Sequence, residues 1–331
     1  MARGAVLVTG GAGYIGAHTS KALSEAGYLP VAYDNLSTGH REFVQWGPLV
    51  EGDIRDPARV ADAISRFAVV AVLHFAAFAL VGESVTAPDK YYDNNVVGTL
   101  GLLDGMRKSG CLTLVFSSTC AVYGVPDSSP IAETARPDPI NPYGTSKLMV
   151  ERILADFSTA FGLKSTVLRY FNAAGADPVA ALGEWRDPET HIVPRAMMTL
   201  LGHFREFQVH GLNFPTPDGT AVRDYIHVTD LARAHVMAVE QLLAGNDGGT
   251  YNLGTGFGHS VREVVSAIER EAGQRLPLVE GPRRPGDPAV LVADARCAKD
   301  RLGFVPLHSD LATIIRSSWA WHRRIHARSA V

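Results

Sequence analysis

The chain has 331 residues, 46% hydrophobic and 20% charged, with a formal net charge of -3. That length supports a sizeable core in one large domain or two coupled lobes, and the near-neutral balance excludes the electrostatic footprint of a nucleic-acid binder. No apolar run is long enough to span a bilayer. Met1 leads into the short apolar stretch Ala5 to Val8 instead of a signal sequence. The three cysteines, Cys111, Cys120 and Cys297, have neither disulfide-framework nor metal-ligand spacing. The expectation is a cytoplasmic enzyme with no metal, no membrane attachment and no nucleic-acid partner. The one basic cluster, His322, Arg323, Arg324 and Arg328, reads as a solvated helix end.

In chain order, strand-like apolar runs alternate with helix-like segments. A strand at 5–9 precedes a helix at 15–26, and a second strand covers 31–34. Helix 58–66 then leads to strand 69–75, helix 91–108 to strand 112–117, and helix 143–160 to strand 165–170. This alternation predicts an α/β architecture, a doubly wound parallel sheet with helices on both faces. Beyond Asn172, Pro and Gly are frequent in 176–188, 214–219 and 281–288, and these loops are expected to build a smaller C-terminal lobe over the carboxyl ends of the strands. Residues 1–172 would form the sheet domain and 173–331 the second lobe, with the strand-then-helix segment 224–240 rejoining the first.

The first strand runs into Thr9-Gly10-Gly11-Ala12-Gly13-Tyr14-Ile15-Gly16, directly before a helix. Glycines at 10, 13 and 16 let the backbone turn tightly and let a diphosphate approach the amide donors of the helix N-terminus, and the last permits close helix and strand packing. A glycine triplet alone could be a plain helix cap. Here Asp34 ends the second strand eighteen residues after Gly16, which is the setting of a dinucleotide site. Asp34 can accept hydrogen bonds from both adenosine ribose hydroxyls, whereas a 2′-phosphate would meet its charge, so NAD is expected over NADP. Asp53, and Ala76 and Ala77 after Phe75, fall in register with the glycine loop where the chain leaves the sheet. Each taken alone would be a turn or cap residue.

Tyr143-Gly144-Thr145-Ser146-Lys147 puts a phenol and an ammonium four residues apart on one helix face. A phenol of pKa about 10 is a poor base at neutral pH, but a fixed lysine charge and a positively charged nicotinamide favour its phenolate. Upstream, Ser117-Ser118-Thr119 ends a strand beside that helix, and Thr119 can pass a hydrogen bond between a substrate hydroxyl and Tyr143. A Tyr and Lys at this spacing also recur as a packed or solvated pair, so the glycine loop and the hydroxyl-bearing strand end are what give the pair chemical meaning.

With these motifs the chain resembles the extended short-chain dehydrogenase/reductases, and within them the UDP-glucose (UDP-galactose) 4-epimerases. Matching stretches are residues 8–16, His74-Phe75-Ala76-Ala77, Val81-Gly82-Glu83-Ser84, Tyr91-Tyr92-Asp93-Asn94-Asn95, residues 143–147, Leu168-Arg169-Tyr170-Phe171-Asn172, Arg223-Asp224-Tyr225-Ile226-His227 and Pro282-Arg283-Arg284-Pro285-Gly286-Asp287. The resemblance implies a Rossmann domain with NAD almost irreversibly held. Tyr143 would take the proton of the sugar 4-hydroxyl as the C4 hydride passes to NAD. The 4-keto sugar would then turn about its diphosphate link and receive the hydride on its other face. Around the cofactor the resemblance places Gly10, Gly13, Tyr14, Ile15, Gly16, Asp34, Asn35, Ser37, Thr38, Gly39, Asp53, Ile54, Phe75, Ala76, Ala77, Asn94, Ser117, Tyr143, Lys147, Tyr170 and Phe171. On the UDP-sugar side it implies Arg223 and Arg284 at the diphosphate with Asn172 nearby, and Asp287 at the uridine ribose. Tyr225, His191, Val209 and His210 would line the uridine pocket, with Thr119 and Tyr143 at the hexose. Without that frame, Arg223 beside Asp224 could equally be a local ion pair and Arg283-Arg284 a solvated loop. Helices 91–108 and 143–160 resemble the pair that forms a dimer interface in this family, which implies a homodimer.

Three rival readings compete with this expectation. A sugar-nucleotide 4,6-dehydratase typically carries Asp-Glu immediately after the catalytic Ser/Thr, and Cys120 and Ala121 stand there instead. A 4-epimerase of another UDP-sugar (UDP-xylose/UDP-arabinose, a UDP-N-acetylhexosamine or a UDP-hexuronate) stays open, because only hexose-side residues discriminate. A non-catalytic NAD-responsive protein usually lacks the Tyr or the Lys, and both are present. Two departures from the family pattern are Thr119 in place of serine and Ala79 in place of a lysine that some members place near the nicotinamide. In related epimerases the residue aligned with Leu291 borders the hexose, where tyrosine goes with exclusion of N-acetylated sugars and a small residue with their acceptance. Leu291 is intermediate, so a preference for UDP-glucose and UDP-galactose with weak activity on their N-acetyl forms is expected, unless Leu291 is simply a core side chain.

Overall fold

The computed structural model describes residues 3–284 and 286–327. Arg328 of the basic tail and Pro285 of the arginine loop lie outside the described residues. Six strands come from the sequence up to Tyr170: β1 Ala5–Thr9, β2 Leu29–Asp34, β3 Leu49–Glu51, β4 Val69–His74, β5 Thr113–Thr119 and β6 Lys164–Tyr170. With Gly248–Leu253 they form one parallel sheet in the order Gly248–Leu253, β6, β5, β4, β1, β2, β3. Every residue of β1 is buried, as a central strand covered on both faces requires. Its side chains alternate between two cores. Ala5 and Leu7 pack with Val60, Ile64, Leu102, Met106, Val150 and Leu154, whereas Val6 and Val8 pack with Leu23, Leu231, Val239 and Leu242. The chain order reverses between β1 and β4, so the carboxyl ends of these two strands open a crevice.

The expected doubly wound parallel sheet is present, with three differences in detail. β3 has three residues, too few for a periodic pattern. The expected helix 91–108 is a composite of Pro88–Tyr91, a π-helical turn Tyr92–Val97 and Gly98–Ser109. Strand Gly248–Leu253, which starts with two glycines, completes an edge of the main sheet by pairing with β6.

Past Asn172 the loops alternate with short elements. Strand Tyr225–His227 pairs with Asn172–Ala174, and helix Val228–Leu243 contributes Leu231, Val239 and Leu242 to the second core of the main sheet. Strand pairs Phe207–His210 with Leu278–Gly281, and Val290–Leu291 with Val222–Arg223, carry the far side of the cleft. Helices Ile192–Leu200, Val261–Ala272 and Leu311–Ala327 close a third core around Val193, Met197, Phe207, Val264, Ile268 and Ile314. The tail is in part the solvated helix end that its charges suggest, with Arg323 and Arg324 exposed, but its other face turns inward. His322 is buried, and Arg324 Nη1 donates to the Ala180 carbonyl at 2.8 Å, because Ile315, Ser318, Trp319 and His322 recur at helical spacing on the inward face. Among the described residues, no helix is long and apolar enough to cross a membrane.

Candidate active site

The glycine loop closes the crevice through backbone contacts that a side chain would block. Gly10 has φ 71°, and a Cβ there would stand 2.7 Å from the Ala76 amide nitrogen, so the ends of β1 and β4 touch at this point. Gly13 caps helix Tyr14–Glu25 without a side-chain hydrogen bond, which leaves the first amides of the helix free to receive an anion. At the end of β2 the Asp34 carboxylate accepts from Ala12 N at 3.0 Å and Leu36 N at 2.8 Å. Burial raises its pKa, and these two bonds oppose the rise. Each carboxylate oxygen keeps a further lone pair for a ribose hydroxyl. Gly39 lies against Asp34, Asn35 donates to Asp53 at 3.0 Å, and Asn35 also accepts from Ser37 N, while Ser37 and Thr38 are exposed. A cradle of free amides beside a buried carboxylate fits a dinucleotide.

Several expected cofactor residues act through packing or the main chain. Arg55 binds Asp53 at 2.7 Å and holds its carboxyl well below the usual range. Ile54 is buried in the first core. Ile15 and Phe75 are half-buried against the second core, Phe171 is buried beside Cys120, and Ala76 and Ala77 line the crevice edge half-exposed. Tyr14 donates to the Gly175 carbonyl at 2.5 Å and so ties the dinucleotide helix to the second lobe. Asn94 donates to Asn95, and Asn95 fixes the crevice wall through both Phe78 main-chain groups and Ser146. Sequence reasoning missed Asn95, although it ends the stretch Tyr91-Tyr92-Asp93-Asn94-Asn95.

The helix that carries Tyr143 and Lys147 starts at a fixed point. Asn141 accepts from Gly144 N at 2.8 Å and Pro142 takes the first turn. A Cβ on Gly144 would meet the Ala121 carbonyl at 2.5 Å, so glycine between Tyr143 and Lys147 lets the helix start press against the turn that follows β5. Lys147 Nζ donates to the Ser117 carbonyl at 2.8 Å, with its ammonium 4.8 Å from the Phe116 ring centroid. Thr119 lies beside the Tyr143 phenol and favours its ionised form, Ser117 pairs with the Tyr170 hydroxyl, and the Tyr91 ring stands edge-on at 6.5 Å. Thr119, Tyr143 and Lys147 therefore converge as their spacing predicts. Their electrostatics differ from expectation: burial raises Tyr143 above the ordinary tyrosine value and pushes Lys147 down to about 7, with Glu151 opposing the latter shift. In the protein by itself, desolvation outweighs the help that the spacing promised.

On the opposite wall, Arg223 pairs with Asp287 at 2.5 Å and donates to the Val222 carbonyl. Asn172 N donates to the Asp224 carbonyl beside them. Arg284 is exposed on the loop next to His210, whose ring faces the Pro282 carbonyl at 3.3 Å. The side chains of Val209 and Tyr225 pack in the third core, and their strands pair with Leu278–Gly281 and Asn172–Ala174 respectively. His191 precedes helix Ile192–Leu200, and its Nδ1 lies 2.5 Å from Glu184.

A family model described as the NAD dependent epimerase/dehydratase family matches residues 6–254. The chain belongs to that family. It is 53% identical over 324 residues to a UDP-glucose 4-epimerase of Rhizobium leguminosarum bv. trifolii, covering 98% of this chain and 99% of the relative. Its structure is similar to that of UDP-glucose 4-epimerase from Brucella ovis in complex with NAD, with TM-score 0.94, 54% identity and coverage of 96% and 97% of the two chains. It is also similar to a UDP-glucose-4-epimerase from Stenotrophomonas maltophila with bound NAD and formylated UDP-arabinopyranose, with TM-score 0.95, 42% identity and coverage of 98% and 100%.

Within this epimerase/dehydratase frame, Leu291 is half-buried against Cys120 and Phe171 and is in register with Arg223. It thus stands at the same end of the cleft as Thr119, and Leu291→Ser should raise kcat/KM for UDP-N-acetylglucosamine relative to UDP-glucose. One packed aliphatic group discriminates by about 1–3 kcal/mol. Competition between the two sugars measures the ratio, and an unchanged ratio in a folded variant would leave Leu291 as packing. Sequence reasoning also missed Glu184 and Arg186. Charged residues in a proline-containing loop look solvated, and no periodicity marks them as inward-facing.

Proposed function

We propose that the protein interconverts UDP-glucose and UDP-galactose with tightly bound NAD. The observation that carries this is the convergence of Thr119, Tyr143 and Lys147 beside the glycine loop, in a chain that matches UDP-glucose 4-epimerases along almost its whole length. When bound, NAD supplies a hydride acceptor and donor for the sugar C4. Asp34 and the amides after Gly13 hold the cofactor, and Tyr143 takes the 4-hydroxyl proton through Thr119 and later returns it. Arg223 and Arg284 anchor the diphosphate once Arg223 shares or releases Asp287, which is then available to the uridine ribose. The anchor binds the nucleotide and leaves the 4-keto sugar free to turn.

The proposed division has a dinucleotide-binding body of residues 1–172, joined by 224–240 and strand Gly248–Leu253, with the rest of 173–331 as the UDP-sugar lobe. A cytoplasmic homodimer completes the proposal. Val97, Leu100, Met149 and Phe161 leave an exposed apolar surface on the two helices assigned to the interface. A second substrate class, UDP-pentoses, draws support from the relative that holds formylated UDP-arabinopyranose.

The protein should purify with NAD(H) and epimerise without added cofactor. Heat release of the nucleotide, followed by product separation after incubation with UDP-galactose, UDP-N-acetylgalactosamine and UDP-xylose, tests cofactor and substrate together. Strict dependence on added NADP would overturn the role of Asp34.

A further inference from the structure

The strip of chain after β2, residues 35–40, crosses the glycine loop beside Asp34. Leu36 N bonds the Asp34 carboxylate at 2.8 Å, and His40 N donates to the Ala12 carbonyl at 2.9 Å. A Cβ on Gly39 would stand 2.8 Å from the Ala12 Cβ, so the main chain lies close on the loop here. Asn35, Ser37 and Thr38 are exposed, and little packing holds the strip down between its fixed points. Phe43, three residues beyond His40, is sunk among Ala17, Leu182 and Trp321 and anchors the far end.

The loop from Gly175 to His191 in the second lobe is seated more firmly. Lys21 of the dinucleotide helix pairs with Asp177, a Cβ on Gly183 would strike the Trp321 ring at 2.2 Å, and Trp321 Nε1 donates to the Glu184 carbonyl at 3.1 Å. The buried Glu184 carboxylate receives Arg186 Nε at 2.8 Å and lies 2.5 Å from His191 Nδ1. Trp185, between these fixed residues, keeps 39% of its surface exposed.

The strip and the loop meet at one contact. The His40 ring lies flat on the Trp185 indole, with centroids 4.1 Å apart and planes 10° apart, and His40 Nε2 donates to the Trp185 carbonyl at 3.1 Å. Trp185 also borders a cavity of about 520 Å³ shared with Glu42, Gln45 and Arg324. The indole is therefore not locked in a core and has room to swing off the imidazole. We propose that the stack of His40 on Trp185 is a latch between the two lobes, and that both are positioning residues for the cofactor: they keep the strip closed over the adenosine ribose at Asp34. The strip lifts, and NAD leaves, when the stack opens. This rests on NAD lying against the glycine loop and Asp34.

Holoprotein loaded with radiolabelled NAD and chased with unlabelled NAD gives the release rate. Trp185→Ala removes the ring but keeps the carbonyl that His40 bonds, and should speed release about three- to tenfold, the worth of one aromatic pair. His40→Ala loses ring and bond together and should speed it at least as much. Trp185→Phe keeps a flat ring on the imidazole and should stay within about twofold of the parent, a rescue that a general loss of packing would not give. The double variant decides between the two. One latch opened twice releases NAD no faster than His40→Ala alone, whereas two independent losses multiply. If Trp185→Ala misfolds, His40→Ala on the loosely packed strip carries the comparison with Trp185→Phe. Release unchanged in the folded alanine variants, or multiplied in the double, would overturn the latch and leave the stack as packing. A parent that retains no NAD would instead remove the cofactor site itself, which tells the two failures apart.

Discussion

Tyr143→Phe should lower kcat by about 10³-fold or more while UDP-sugar affinity stays close to the parent's, the upper range for loss of a positioned proton-transfer group. The phenyl ring keeps the contact with Tyr91 and the packing of the helix start. Only the hydroxyl and its interaction with Thr119 are lost. An interaction made in proton transfer and not in ground-state binding shows in kcat and kcat/KM alike, with binding preserved. Thr119→Ala should slow turnover less, since Tyr143 remains, although the relay is broken and Ala121 N loses its partner. Thr119→Ser keeps the hydroxyl and should be mild. Steady-state kinetics paired with equilibrium binding of UDP-glucose decide the matter, and near-normal turnover in Tyr143→Phe would leave the proposed mechanism without its base.

The parts of this site legible in the sequence are those set by short-range geometry. Gly10, Gly13 and Gly16 lie within one turn and a helix start, Tyr143 and Lys147 lie one helical turn apart, and Ser117 and Thr119 end a strand whose burial is written in its apolar run. The central strands are legible for the same reason, because burial on both faces leaves continuous apolar segments. What the sequence hides depends on long-range packing. The inward turn of Glu184 and Arg186 requires Trp321, more than a hundred residues later, to lie against Gly183. The pairing of Arg223 with Asp287, and not with the adjacent Asp224, follows from Asp224 being occupied by Thr255, Gly256 and Ala293. The burial of Val209 and Tyr225 reflects a core shared by three helices and several short strands that no local pattern links.

Gly16→Ala should all but abolish retention of NAD and lower Tm by several degrees. A Cβ at Gly16 would stand 2.2 Å from the Gly10 carbonyl oxygen, 2.9 Å from its carbon and 3.0 Å from Gly11 Cα. All three are backbone atoms, so no side chain can rotate away. Either helix Tyr14–Glu25 retreats from the end of β1 or the loop opens, and in both cases the amides after Gly13 leave the position in which they face a diphosphate. Forcing a methyl into a closed contact typically costs about 1–3 kcal/mol, a tolerable fraction of a total stability of about 5–15 kcal/mol, so the chain should still fold. Affinity falls about tenfold for each 1.4 kcal/mol withdrawn from binding, so nucleotide retention is the more sensitive readout. Gly82→Ala is the control, because a Cβ at Gly82 meets nothing within 4 Å and alanine suits the helix Val81–Thr86 better than glycine. Heat-released NAD per protein chain and calorimetric Tm are measured for both variants. Full NAD content together with an unchanged Tm in Gly16→Ala would mean that the loop yields without cost and that close approach at Gly16 is not what holds the cofactor.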